Sequence, residues 1–179
     1  MSYEKKLESG FQKAKEITKK FATTFYLASL FLPKEKRLAS YAVYAICRIS
    51  DESVDASNMV SNEDNALNNL NNIKQHIEKA YLETDLNEDL LLSFRYTVKK
   101  HKIPKEYFDE LLEGMQMDIT KNRYKNFAEL YTYCYKAAGI VGLIMLKILG
   151  AEDESAKGYA VKLGIAMQLT NILRIKRRF

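Results

Sequence analysis

Apolar residues recur along this chain at the three- and four-residue spacing of α-helices, and glycine or proline rarely interrupts the pattern. The 179 residues include 7 glycines and 2 prolines, with no glycine between Phe11 and Glu113. Sandwiches and barrels need turn residues about every 8–12 positions, which this chain does not supply. The pattern therefore predicts an all-α fold, with helices over about residues 3–31, 34–56, 63–81, 90–101, 104–121, 127–149 and from 153 to the chain end.

Composition is that of one globular domain, and we expect a single helical domain over residues 1–179. Hydrophobic residues make up 47% and charged residues 28%, which argues against a disordered chain. The longest apolar run, Ala137–Leu146, ends at Lys147 and is too short to span a bilayer. The charged N-terminus lacks the apolar segment of a secretory signal. These features predict a soluble, cytoplasmic protein.

Positive charge is concentrated at the end of the chain. Four of the five net positive charges fall in the last nine residues, which contain no acid. A nucleic-acid-binding domain usually carries a basic face through the domain itself. The distribution of charge therefore argues against a nucleic-acid partner.

Polar residues form a stripe along the second predicted helix. At 100° per residue, Tyr44, Arg48, Asp51 and Asp55 fall within about 60° of one another. Two carboxylates one turn apart repel by roughly 0.2–0.5 kcal/mol, but they suit Mg²⁺, which prefers one or two carboxylates plus substrate phosphates. Arg48 is well placed to bind a phosphate oxygen. A solvated acidic patch, with Arg48 paired to Asp51 or Glu52, explains the spacing equally well.

Longer segments follow one family pattern in the same order. They are FATTFYLASLFLPKEKRLASYAVYAICRISDESVD at 21–55, GMQMD at 114–118 with Tyr124, YCYKAAGIVG at 133–142 and LGIAMQLTNILR at 163–174. Together they resemble the squalene/phytoene synthase family, and the D-E-x-V-D form of the acidic motif is closer to phytoene synthases. The resemblance implies an isoprenoid-synthase-type helical bundle. It also implies a prenyltransferase that condenses two prenyl diphosphates, farnesyl or geranylgeranyl, head to head.

The resemblance assigns roles to residues by position. Asp51 and Asp55 are expected to bind Mg²⁺, with Mn²⁺ as the alternative and no use of NADPH, and Arg48 and Tyr44 to lie close to the diphosphate. Further positions are expected to border the substrate or line the catalytic cavity: Thr24, Phe25, Tyr133, Gln168, Asn171 and Arg174. The implied chemistry is Mg²⁺-assisted ionisation of one allylic diphosphate, followed by attack of the second substrate's double bond on the carbocation.

The end of the chain departs from the family pattern. The family continues into a second acidic motif, with aspartates at the positions held here by Ile175 and Phe179. We therefore expect a bundle that is incomplete at its C-terminus, and this argues against activity of the chain. A prenyltransferase by descent and a non-catalytic helical interaction protein, or inactive relic, both stay open. A head-to-tail prenyl synthase does not account for YCYKAAGIVG. Peripheral membrane contact is expected only from the apolar products, and the sequence does not indicate an oligomeric state.

Overall fold

The computed structural model describes residues 2–52, 63–82, 86–121, 123–151 and 153–176. Within these ranges the secondary structure is helical and contains no strand, as predicted. The α-helices are α1 (Tyr3–Phe21), α2 (Thr23–Ser29), α3 (Lys34–Glu52), α4 (Glu63–Leu82), α5 (Asp89–Lys100), α6 (Lys105–Thr120), α7 (Phe127–Cys134), α8 (Ile140–Leu149) and α9 (Glu154–Lys176). A π-helical turn, Tyr135–Gly139, joins α7 to α8.

The predicted first helix is in fact two helices, so the prediction of one helix over residues 3–31 is wrong. Ala22 leaves the helical region, with φ −136° and ψ 58°, although its N–H still bonds to the Thr18 carbonyl at 2.9 Å. Beyond this break, Phe25 and Tyr26 of α2 pack against the buried side chain of Tyr41 on α3 and its neighbours. The second predicted helix is confirmed as far as Glu52, and its predicted last four residues lie outside the described residues.

The chain divides into two compact units, residues 1–102 and 103–179. In the first unit, α1 packs along α3 and α5, and α4 packs against both of these helices. Asp89 at the start of α5 ties this helix to α1, because its carboxylate accepts hydrogen bonds from Ser9 at 2.7 Å and from Lys13 at 3.0 Å. A single domain over the whole chain stays a prediction.

In the second unit, α9 packs against α8 and the π-helical turn at backbone distance. A Cβ atom added at Gly164 would lie 2.3 Å from the carbonyl oxygen of Ala138, and one added at Gly142 would lie 2.3 Å from that of Ala160. Only glycine permits such close approach. Gly142 and Gly164 therefore allow α9 to pack this closely on α8 and on the π-helical turn.

The sixth predicted helix is continuous from Phe127 to Leu149 and contains the π-helical turn. Among the described residues, this 23-residue stretch is long and apolar enough to cross a membrane by length and composition. The expectation that no segment is long enough, based on the shorter run 137–146, is therefore wrong. A core helix meets the same criteria, and Ile140, Ile144 and Ile148 are buried within the unit.

Candidate active site

The polar stripe predicted on the second helix lies on α3. This helix continues through Asp51 to Glu52, so Tyr44, Arg48 and Asp51 occupy one side of it at positions i, i+4 and i+7. The structure describes the backbone of Asp51 but not its side chain, and Asp55 lies outside the described residues. The helical register of the stripe is thus established as far as the first of the two predicted metal ligands.

Aromatic rings from α1 and α2 pack on this stripe. The guanidinium carbon of Arg48 lies 4.8 Å from the ring centroid of Phe21, within range of a cation–π interaction. The ring of Phe25 lies 6.0 Å from that of Tyr44 at a tilt of 38°. The structure therefore brings three predicted site residues together with Phe21, whose role the sequence did not indicate. Thr24, also predicted, is exposed beside Phe25 on α2.

A second polar group lies within the second unit. The hydroxyl of Tyr133 on α7 donates a hydrogen bond to the Asp118 carboxylate at 2.5 Å, and the side-chain amide of Gln168 on α9 donates to the same hydroxyl at 2.7 Å. The ring of Tyr124 stacks on that of Tyr133, with centroids 5.2 Å apart. We call Asp118, Tyr124, Tyr133 and Gln168 the tyrosine cluster.

Two members of the tyrosine cluster were predicted and two were not. Tyr133 and Gln168 were assigned to the cavity, and they are in direct contact although 35 positions separate them. Asp118 and Tyr124 belong to the matched GMQMD segment and the tyrosine after it, but no role was assigned to either. The GMQMD segment could have indicated this contact, because it ends with the carboxylate of Asp118 on α6, the helix that precedes α7.

Burial and the nearby carboxylate keep both phenols of the cluster protonated. Burial raises the pKa of Tyr124 to about 12, and the charge of Asp118 acts in the same direction. The pKa of Tyr133 is also raised, first by burial and then by the hydrogen bond to Asp118. A tyrosine is ordinarily protonated at neutral pH, and these shifts extend the neutral state further into alkaline solution. Both groups are therefore phenols that donate hydrogen bonds and present ring faces.

The remaining predicted residues continue along α9. Asn171 and Arg174 lie three and six positions beyond Gln168, and both are exposed. Each step of three turns the side chain by about 60°, so Arg174 lies about 120° around the helix from Gln168. Neither residue belongs to the tyrosine cluster, and a role in substrate binding stays a prediction for both.

The predicted metal site is a pair of carboxylates, Asp51 and Asp55. Among the described side chains, no group of three or more His, Cys, Asp or Glu residues could hold a metal ion. Asp51 and Asp55, the predicted ligands, are not among those side chains. Their chemistry fits, since carboxylate oxygens are the ligands that Mg²⁺ prefers, and the helical backbone at Asp51 keeps it in register with Arg48.

The sequence as a whole matches a known enzyme family. The sequence model of squalene/phytoene synthases matches residues 18–175, and the chain belongs to this family. It is 39% identical over 175 residues to the chloroplastic phytoene synthase of Narcissus pseudonarcissus, and the alignment covers 94% of this chain and 40% of the relative. It is 33% identical over 180 residues to the 15-cis-phytoene synthase of Synechococcus elongatus, covering 94% of this chain and 57% of the relative.

Solved structures confirm the predicted isoprenoid-synthase helical fold. The squalene synthase HpnC from Alicyclobacillus acidocaldarius superposes with a TM-score of 0.79 at 25% identity, over 92% of this chain and 60% of that one. A dehydrosqualene synthase solved in complex with a ligand gives a TM-score of 0.78 at 29% identity, over 97% and 59%. The chain thus spans about two fifths to three fifths of the length of these relatives.

Proposed function

We propose that this chain carries substrate-binding helices of a head-to-head prenyltransferase, which joins two prenyl diphosphates as phytoene and squalene synthases do. The observation that carries the proposal is the register of α3, where Tyr44 and Arg48 precede Asp51 on one side of the helix and aromatic rings pack on them. Family membership supports the reaction class. The names of the relatives support a phytoene synthase-like reaction in particular.

The α3 stripe has the chemistry of a diphosphate site. Arg48 is held against the ring of Phe21, and its guanidinium can donate paired hydrogen bonds to phosphate oxygens. Tyr44 lies beside Phe25, one turn before Arg48 on the helix, and its hydroxyl is a second type of hydrogen-bond donor. Asp51 and Asp55 would hold Mg²⁺, which assists departure of the diphosphate as a Lewis acid when it is bound.

The tyrosine cluster suits the cationic stage of such a reaction. A ring pair that stays neutral stabilises positive charge over its faces through its quadrupole. The Tyr133 oxygen is engaged by both Asp118 and Gln168, so the hydroxyl is held in place and does not become a phenolate that could trap a carbocation. Such chemistry also requires that water be kept away, and Tyr133 is buried.

The proposal is tested by calorimetric binding of farnesyl and geranylgeranyl thiodiphosphates, which resist ionisation, with and without Mg²⁺. We expect Mg²⁺-dependent binding that weakens at least about tenfold in the double variant Asp51→Asn/Asp55→Asn. The matched control is Glu4→Gln/Glu8→Gln, an exposed acid pair with the same spacing on α1, which should bind like the parent chain. The preferred thiodiphosphate identifies the substrate length.

Two results would contradict the proposal, provided that circular dichroism shows the chain to be folded. One is the absence of binding to either thiodiphosphate in the presence of Mg²⁺. The other is binding that is unchanged in the Asp51→Asn/Asp55→Asn variant. Either result would favour a non-catalytic helical protein of the same family.

A further inference from the structure

A cavity of about 560 Å³ lies over one face of α5, within the first unit. Five residues of α5 line it at positions i, i+3, i+4, i+7 and i+8, which share one side of a helix: Leu92, Arg95, Tyr96, Lys99 and Lys100. The described lining residues carry three positive charges and no negative charge. They include no residue of the α3 stripe, so this cavity is separate from the site described above.

The guanidinium group of Arg95 lacks an acceptor for one of its nitrogens. Its Nη1 atom is buried and has no hydrogen-bond partner in the described part of the chain. A buried donor without an acceptor is unfavourable, and the penalty is larger when the group is charged. The charge of a guanidinium is delocalised over its three nitrogens, so an anion bound in the cavity would compensate the charge of the whole group.

Acids on and near α5 pair with groups other than Arg95. Three such pairs are found among the described residues: Glu35 with Lys100 at 3.2 Å, Glu88 with His76 at 3.7 Å, and Asp89 with Lys13 at 3.0 Å. The described residues therefore provide Arg95 with no carboxylate partner inside the cavity.

We infer that this cavity binds a small ligand that combines a phosphate group with an apolar or aromatic part. Arg95 can donate paired hydrogen bonds to phosphate oxygens, and the exposed Lys99, one turn later on α5, adds a second positive charge. The apolar part of the wall consists of the buried side chains of Leu86 and Leu92 and the ring of Tyr3. A cavity of this volume, with an apolar wall and a few polar groups, is typical of small-molecule sites.

Charge matching favours a phosphate monoester over a carboxylate. Glu35 offsets the charge of Lys100, which leaves the two positive charges of Arg95 and Lys99. A phosphate monoester carries about −1.5 to −2 charges at neutral pH, whereas a carboxylate carries one. The inference does not rest on the proposed function, because the cavity and the α3 stripe share no described residue.

Isothermal titration calorimetry with phenyl phosphate tests the site, in buffer containing EDTA so that no Mg²⁺ is available to the α3 stripe. We expect saturable binding, and binding of inorganic phosphate and of benzoate that is weaker by at least about tenfold, since one lacks the apolar part and the other lacks the second charge.

Three variants locate the binding on the protein. Arg95→Met keeps the apolar stem of the side chain and should weaken binding at least about tenfold. Lys99→Met, at an exposed position where the chain should fold normally, should weaken it about threefold. The matched control is Lys74→Met, which removes the same charge from an exposed position on α4 and should bind like the parent chain.

Thermal unfolding gives an independent readout. Because Arg95→Met removes a buried unpaired nitrogen, its midpoint without ligand should equal or exceed that of the parent chain. Phenyl phosphate should raise the midpoint of the parent chain and leave that of Arg95→Met unchanged.

Four results would overturn the inference. The first is a folded chain that shows no saturable binding of phenyl phosphate below about 10 mM. The second is an Arg95→Met variant that binds like the parent chain. The third is loss of binding in Arg48→Gln with none in Arg95→Met, since the ligand would then occupy the α3 stripe. The fourth is benzoate binding as tight as that of phenyl phosphate, since the site would then not select a phosphate group.

Discussion

Replacing Gly164 by alanine should destabilise the second unit, because the added methyl group has no room. Its Cβ atom would lie 2.3 Å from the carbonyl oxygen of Ala138 and 3.0 Å from the Cα atom of Gly139. Ordinary contact at such a position begins at 3.4 Å, so α9 would have to withdraw by about 1 Å. The obstructing atoms belong to the backbone and cannot move aside by changing a rotamer.

The expected magnitude follows from two opposing effects. Alanine favours a helix over glycine by about 1 kcal/mol. Overpacking costs about 1–3 kcal/mol, and a clash with backbone lies at the upper end of that range. The net loss should be about 2 kcal/mol, which would lower the urea midpoint by about 1 M for a chain with an ordinary denaturant dependence.

The matched control is Gly158→Ala, on the same helix but with no atom within 4 Å of its added Cβ. This variant keeps the helix-propensity gain without the clash, so it should be more stable by up to about 1 kcal/mol. Urea unfolding followed by far-ultraviolet circular dichroism measures both variants. The packing argument is refuted if Gly164→Ala is as stable as the parent chain, or if the two substitutions shift the midpoint in the same direction.

Three further predictions concern ionisable and hydroxyl groups. Tyr133→Phe removes the central hydroxyl of the tyrosine cluster and should lower the free energy of unfolding, measured in urea, by about 1 kcal/mol. An unchanged free energy of unfolding would contradict the cluster. Because burial raises the pKa of Tyr124 from 10.0 to about 12, ultraviolet titration should show late-ionising phenols, and Tyr124→Phe should lower their number by one. The folded state binds the Tyr124 proton more tightly, so the associated stability is present below pH 10 and lost as pH rises toward 12. Hydrogen bonds from Ser9 and Lys13 hold the pKa of Asp89 below 3.8, so its stabilisation is present above that pH and lost as pH falls through the lower folded-state value. The stability gap between the parent chain and Asp89→Asn should therefore shrink on acidification, and a gap independent of pH would contradict this reasoning.

Helix boundaries marked by glycine or proline could be predicted from the sequence. Pro33 and Pro104 precede the starts of α3 and α6, and Gly150 ends α8 in the left-handed conformation, with φ 74°. The break at Ala22 could not be predicted, because no such residue marks it. There the stacking of Tyr26 on Tyr41 belongs to the tertiary structure, which local propensity does not encode.

The site shows the same division between local pattern and tertiary packing. Helical periodicity was sufficient to place Tyr44, Arg48 and Asp51 on one side of α3, because these residues share an element. Tyr133 and Gln168 came from family resemblance alone, since no spacing rule joins residues on two different helices. The contact of Asp118 with Tyr133 depends on how α6 packs against its neighbours, so a motif could suggest the region but not the hydrogen bond.

The π-helical turn Tyr135–Gly139 determines which sides of α7 and α8 face α9. Tyr133 precedes the turn and contacts Gln168 on α9, while Gly142 follows it and meets Ala160, also on α9. In an uninterrupted α-helix, nine positions would put the two residues on opposite sides, about 180° apart. The π-helical turn contains one residue more than an α-helical turn, so the angle between Tyr133 and Gly142 falls to about 80°. Both residues can therefore face the same partner helix. A change of one residue in the length of this turn would therefore separate the polar contact from the close backbone contact, even with every side chain retained.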